Sequence, residues 1–220
     1  MAPCDDPITF DEHRRFLGSM AALAAAGWGW VDDVGLVPLE SRWSWFCDDN
    51  LDVERRRGWP EAVPRIAADG WARFAERAPR GLVDEVSELR RDQGPLVDAV
   101  RATPLCFLHG DWKLGNVGTA TDGRTVLIDW TYPGAGPIAH DLAWYLALNR
   151  SRLPESKEDA VATLSAALRS CWIDTAPWYE RQVRLCLLGG LVEFGWEKAL
   201  GEEDELRWWC ERASDGLRLL

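Results

Sequence analysis

One interruption limits what this chain can fold into more than any other feature. Helical periodicity runs through most of its 220 residues, and the one convincing stretch of β structure lies between residues 105 and 129. There, short apolar runs (Leu105 to Leu108, Val126 to Ile128) alternate with polar loops and an Asp122-Gly123 turn. That order predicts strand, loop, short strand, turn and strand. The expected fold class is therefore α+β, mostly α: a helical lobe with a small β-hairpin. The polar residues collect in the same segment, 105–142. The first run delivers His109, Gly110 and Asp111 into a loop, and the second delivers Asp129 into another. Asn116 lies between them, and Asp141 heads the next helix. Two acids and an amide at strand ends, facing one space, can hold a divalent cation and a phosphate.

The flanking sequence reads as support. Residues 1–10 are polar and broken by proline, like a linker, and 11–220 read as one lobe. Thr9 and Glu12 form a capping box for a helix whose apolar stripe (Phe10, Leu17, Met20, Leu23, Ala24) stops at Gly27. Trp28 to Asn50 reads as a long ordered loop packed by its tryptophans. Helices are expected over 60–78, 82–91 and from Pro95 through Val100. Pro133, Gly134, Gly136 and Pro137 read as a loop, and helix resumes over 138–148. Three more helices are expected at 156–169, 177–200 and 202–219, the first opened by a second capping box at Ser156.

Composition sets outer limits. With 25 basic and 36 acidic residues the formal charge is −11, which argues against nucleic acid as a partner. An acidic balance suits a cationic acceptor, and it equally suits plain solubility. The six cysteines (Cys4, Cys47, Cys106, Cys171, Cys186, Cys210) show no paired spacing, so zinc is unsupported and reduced thiols are the default. The acidic N-terminus lacks the positive region of a signal peptide, and the strongest apolar run, Leu185 to Val192, is too short to span a bilayer. A cytoplasmic protein with no membrane partner is expected.

The run His109-Gly110-Asp111 with Asn116, then Ile128-Asp129-Trp130, Gly136-Pro137 and His140-Asp141-Leu142, resembles the aminoglycoside phosphotransferase and choline kinase group, relatives of the protein kinases. The resemblance covers nearly the whole chain and corresponds to the family's C-terminal lobe. It implies a protein-kinase-like fold and an ATP-dependent phosphotransferase that moves the γ-phosphate to a hydroxyl of a small molecule. Asp111 is implied as the base near that hydroxyl, and Asn116 and Asp129 as the residues that meet ATP through Mg²⁺. Lys113 stands where many protein kinases carry a catalytic-loop lysine, and is a candidate to meet the transferring phosphate. The phosphotransferase pattern leaves this position open, and a solvated loop lysine fits equally. His109 and Asp141 are expected to support the catalytic loop, and His140 has no assigned role.

The family also carries an N-terminal β-lobe that grips ATP with a glycine-containing loop and a strand lysine. Neither is found in this sequence: there is no G-x-G-x-x-G, and the three lysines (Lys113, Lys157, Lys198) lie in a loop and in helices. The resemblance therefore implies a lobe missing from these residues. It would be encoded upstream of a truncated kinase or supplied in trans by another chain. The alternatives are a catalytically silent kinase-like binding protein and, from His109, Asp129 and His140-Asp141, a metal-dependent phosphohydrolase. Glu193, Glu197, Glu202, Glu203, Asp204 and Glu205 would suit a cationic acceptor such as an aminoglycoside, but a solvated helix face is the preferred reading. A sugar or amino alcohol fits as well.

Overall fold

A computed structural model describes residues 6–220. Half of the linker-like N-terminus, with Cys4, lies outside the described residues. The chain divides into two compact units: Met1–Pro38 with Thr103–Val183, and Leu39–Ala102 with Arg184–Leu220.

The first unit begins with α1 (Phe10–Ala26), which starts where its capping box puts it. Thr9 Oγ1 accepts from the Glu12 N–H at 3.2 Å while Glu12 Oε2 accepts from the Thr9 N–H at 2.9 Å. Buried His13, Phe16, Leu17, Met20, Ala21 and Ala24 recur at three- and four-residue steps and form one stripe. The β segments follow: β1 (Cys106–Leu108), β2 (Val117–Thr119), β3 (Thr125–Leu127) and β4 (Gly134–Gly136). Strands β2 and β3 pair as an antiparallel hairpin in the register Val117 to Leu127 and Thr119 to Thr125. The hairpin turns at Gly123 with φ of 86°, a conformation glycine adopts without steric cost. Helices α6 (Ile138–Leu148) and α7 (Lys157–Ser170) complete this unit, with α1 packed on α7. At Ser156 the capping is reciprocal in a modified way: Oγ accepts from the Asp159 N–H and donates to the Asp159 carboxylate.

Two elements depart from the sequence reading. β4 lies in the Gly/Pro segment read as loop, where it pairs antiparallel with β1, Gly134 opposite Leu108 and Gly136 opposite Cys106. Its residues pair through the backbone and carry no side-chain pattern that would mark a strand. The other is α2 (Asp48–Arg56), which begins inside the stretch read as irregular. Leu51 is its one buried residue, so it has no apolar stripe. Neighbouring charges support it, with Arg55 to Asp52 at 2.6 Å and Arg57 to Glu54 at 2.7 Å.

The second unit holds α2, α3 (Ala62–Arg77), α4 (Arg80–Arg91), α5 (Gly94–Arg101), most of α8 (Tyr179–Leu200) and α9 (Glu203–Leu217). Its core is aromatic. Trp43 and Trp209 are fully enclosed, and Trp71 carries the Arg90 guanidinium 3.9 Å above its ring. Burial holds the Arg90 pKa below the ordinary arginine value despite Asp48 beside it. Gly70 lets α3 close directly onto the α8 backbone: a Cβ there would lie 2.6 Å from the Trp196 carbonyl oxygen.

A pair of substitutions separates packing from helix propensity. Gly18→Ala in α1, where a Cβ meets nothing within 4 Å, should stabilise the protein by about 0.5–1 kcal/mol. Gly70→Ala should instead cost about 1–3 kcal/mol, because a backbone oxygen cannot step aside as a flexible side chain can. Urea unfolding of both variants checks the opposite signs.

Candidate active site

The loop after β1 is held from below by one helix. Burial covers all of α6 from Ile138 to Ala147, so each polar group on it needs a partner inside the protein. Asp141, in the first turn, accepts from two successive backbone N–H groups of the loop: His109 to Oδ2 at 3.1 Å and Gly110 to Oδ1 at 2.9 Å. Gly110 makes this geometry accessible with φ of 83°. One turn on, Trp144 Nε1 donates to Asp111 Oδ1 at 2.8 Å. Beyond the helix end, Asn149 Oδ1 accepts from the Leu114 N–H at 3.0 Å while its Nδ2 donates to the Tyr145 carbonyl at 2.8 Å. Helix α6 thus grips the loop at its start, at its aspartate and near its end.

Asp111 is 1% exposed, and its other carboxylate oxygen meets two further donors. Lys113 Nζ reaches Oδ2 at 2.6 Å and Asn116 Nδ2 reaches it at 2.7 Å. The Asn116 amide also donates to the Asp111 carbonyl at 3.1 Å, which fixes its orientation and leaves Oδ1 on the opposite branch. The Lys113 side chain is 39% exposed.

His109 joins the loop to the hairpin. Its Nε2 donates to the Ile128 carbonyl at 3.0 Å, and its Nδ1 accepts from the Asp111 N–H at 3.3 Å. Those two partners select the tautomer. With both ring nitrogens committed to backbone, His109 is not placed as a metal ligand, and the phosphohydrolase alternative loses its first histidine. His140 packs against Trp144 with ring centroids 5.7 Å apart.

Asp129 follows the third strand. The hairpin register sets it beside Asn116, because the Ile128 N–H donates to the Asn116 carbonyl at 3.0 Å. Asp129 has φ of 60°, in the left-handed region that aspartate tolerates better than most residues. Its carboxylate is exposed and accepts from the Thr131 hydroxyl. The structure therefore brings Asp111, Lys113 and Asn116 into direct contact, and puts Asp129 at the mouth of the same hairpin with its carboxylate turned outward. Among the described residues no three or more His, Cys, Asp or Glu side chains gather as a metal cluster. The local donors are instead the Asn116 side-chain Oδ1 and the Asp129 carboxylate. Two hard oxygen ligands of this kind fit Mg²⁺, which commonly keeps one or two protein ligands and completes its shell with water and substrate phosphate.

Sequence reading missed Trp144 and Asn149. The signal was available in the spacing of Asp141, Trp144, Tyr145 and Asn149, steps of three and four residues on an otherwise apolar helix. The same helix reaches back to α1. The Tyr145 hydroxyl bonds to His13 Nδ1 at 2.9 Å, and His13 Nε2 to Glu155 Oε1 at 2.7 Å. Burial, with the Glu155 charge adding to it, pushes the Tyr145 pKa up, so the hydroxyl keeps its proton at neutral pH. In the second unit, several acidic residues considered for acceptor binding have partners of their own. Glu203 pairs with Arg77 at 2.7 Å, Glu197 with Lys198 at 2.6 Å, and Asp204 with Arg207.

The loop, hairpin and gripping helix define a kinase-like phosphotransferase lobe. Residues 12–180 match the phosphotransferase enzyme family, and the chain belongs to that family. A thiamine kinase of Shigella flexneri serotype 5b is 27% identical over 149 residues, covering 68% of this chain and 47% of that protein. The chain thus spans about half the length of that relative. A crystal structure assigned as a fructosamine-3-kinase from Thermobifida fusca YX-ER1 aligns with 96% of this chain and 67% of its own, at 22% identity and a TM-score of 0.50. That likeness establishes the protein-kinase-like fold, mostly helical with a small antiparallel hairpin. No described helix is long and apolar enough to cross a membrane.

Replacing Asp141 by Asn sets an amide N–H₂ against one of two backbone N–H donors. The variant should lose about 1–3 kcal/mol of stability. Hydrogen exchange at His109 and Gly110 should accelerate by about tenfold or more, while that of α7 follows only the global change.

Proposed function

We propose that this chain carries the phosphoryl-transfer half of a small-molecule kinase, which moves the γ-phosphate of ATP to an acceptor hydroxyl. One observation carries the reading: a buried aspartate, held by three donors, stands at the head of a loop gripped by α6. Phosphoryl transfer asks a protein mainly to position groups and to meet developing charge. Asp111 orients the acceptor hydroxyl and takes its proton. Lys113, the exposed member of the cluster, turns from Asp111 towards the transferring phosphate. Asn116 and Asp129 would hold Mg²⁺, which when bound neutralises charge between the phosphates. His109 and Asp141 keep the loop in place.

The acceptor is a small alcohol, with thiamine-like, sugar and amino-alcohol compounds the first to test because of the names carried by the relatives. The ion pairs among the acidic residues of the second unit give no particular support to an aminoglycoside. The nucleotide-gripping lobe belongs to the proposal as a partner, in the same polypeptide or in another chain. Its support is the half-length match to thiamine kinase and the lysine placements: Lys113 in the loop, Lys157 opening α7 and Lys198 buried in α8. These placements equally favour a second reading, in which the chain alone is a silent binding protein, and nucleotide binding separates the two.

The test is ³¹P detection of product from Mg-ATP and a panel of such alcohols, with calorimetry of nucleotide binding alongside. A phosphorylated product is expected when the nucleotide-gripping lobe is present with this chain, and there Asp111→Asn should lower kcat by about 10²-fold or more while the protein stays folded. Unchanged turnover in that variant would remove Asp111 as base. Neither binding nor turnover with that lobe present would favour the silent reading.

A further inference from the structure

The two oxygens of the Asp111 carboxylate have different kinds of partner. Oδ1 accepts from Trp144 Nε1 at 2.8 Å, and Oδ2 from Lys113 Nζ at 2.6 Å and Asn116 Nδ2 at 2.7 Å. These donors differ in how readily they can leave. Trp144 is 8% exposed, projects from a helix buried along nearly its whole length, and lies against His140. Its indole has two side-chain torsions, both confined by packing. Lys113 is 39% exposed on a flexible stem and can move to another anion. Asn116 keeps its second bond to the Asp111 carbonyl whichever way the lysine points.

We infer that Trp144 is a positioning residue for phosphoryl transfer: it clamps Oδ1 of Asp111 and so assigns Oδ2, once Lys113 has swung away, as the oxygen that takes the acceptor's proton. This rests on the reading of Asp111 as the base. In the step, the acceptor O–H bond breaks and its proton passes to Oδ2. The hydroxyl oxygen bonds to the γ-phosphorus, and the bond from that phosphorus to the β–γ bridging oxygen breaks, leaving ADP. Without the indole N–H, the Asn116 bond to Oδ2 alone restrains the carboxylate, which can turn between productive and unproductive settings, a fault that acts on the reacting geometry more than on substrate affinity.

Trp144→Phe keeps an aromatic ring and removes the donor. Its expected effect is a fall in kcat on the order of tenfold, with KM for ATP and acceptor within about twofold of the parent. Leu164→Ala, a packing loss in α7 away from the Asp111 bonds, should lower Tm and leave kcat nearly unchanged. A second readout needs no turnover. The indole ¹H–¹⁵N signal missing from Trp144→Phe identifies Trp144, and in Asp111→Ala that signal should shift and lose its protection from exchange. An unchanged kcat in Trp144→Phe, a rise in KM in place of the fall in kcat, or an indole signal indifferent to Asp111→Ala would overturn the inference. Full turnover in Asp111→Asn would overturn this inference and the base reading together. Loss in Asp111→Asn with an unaffected Trp144→Phe would overturn this one alone.

Discussion

Two backbone N–H groups meeting one buried carboxylate hold the site together. Asp141 is 1% exposed and receives the amides of His109 and Gly110. Buried, such donors would cost heavily if unpaired, so the loop cannot leave this seat without losing both bonds. Everything downstream inherits the constraint. With residues 109 and 110 seated, Asp111 points at Trp144, the amide of Asn116 reaches Asp111, and the Asn116 carbonyl sets the hairpin register that ends at Asp129. The precision of the site thus comes from a helix, the more rigid support, and not from the loop that carries the chemistry.

The same helix ties the site to the core of its unit. Tyr145, next to Trp144, bonds through His13 to Glu155, linking α6 to α1 and to the segment before α7. Polar groups on a buried helix are costly unless answered, and Asp141 and Trp144 are answered by the loop on one side and Tyr145 by α1 on the other. Lys113 and the carboxylate of Asp129 are the more exposed groups of the site.

Much of the site was legible in the sequence because its residue types sit where chain direction changes. His109, Asp111, Asn116 and Asp129 follow or precede apolar runs too short for helices, and a strand end is where a side chain can leave the core. Trp144 escaped notice because an indole on an apolar helix looks like packing until its N–H is accounted for. Asn149 escaped because it lies just past a helix end, where a polar residue is ordinary. Strand β4 was hidden for a different reason: a Gly-Ala-Gly strand forms by backbone pairing alone, and only the presence of β1 beside it makes it a strand.

By itself the sequence determined the mostly helical class, the hairpin, the caps of α1 and α7, and the set of acids and amides around the loop. Each rests on local information: periodicity, turn residues and short-range capping. Tertiary structure decided which oxygen of Asp111 meets which donor, which tautomer His109 adopts, and that Asp111 is enclosed while Asp129 stays exposed. These depend on partners up to 33 residues away, as for Asp111 and Trp144. Hydrogen-bond satisfaction inside a packed core is a property of the assembled unit, so no reading of one segment could have settled them.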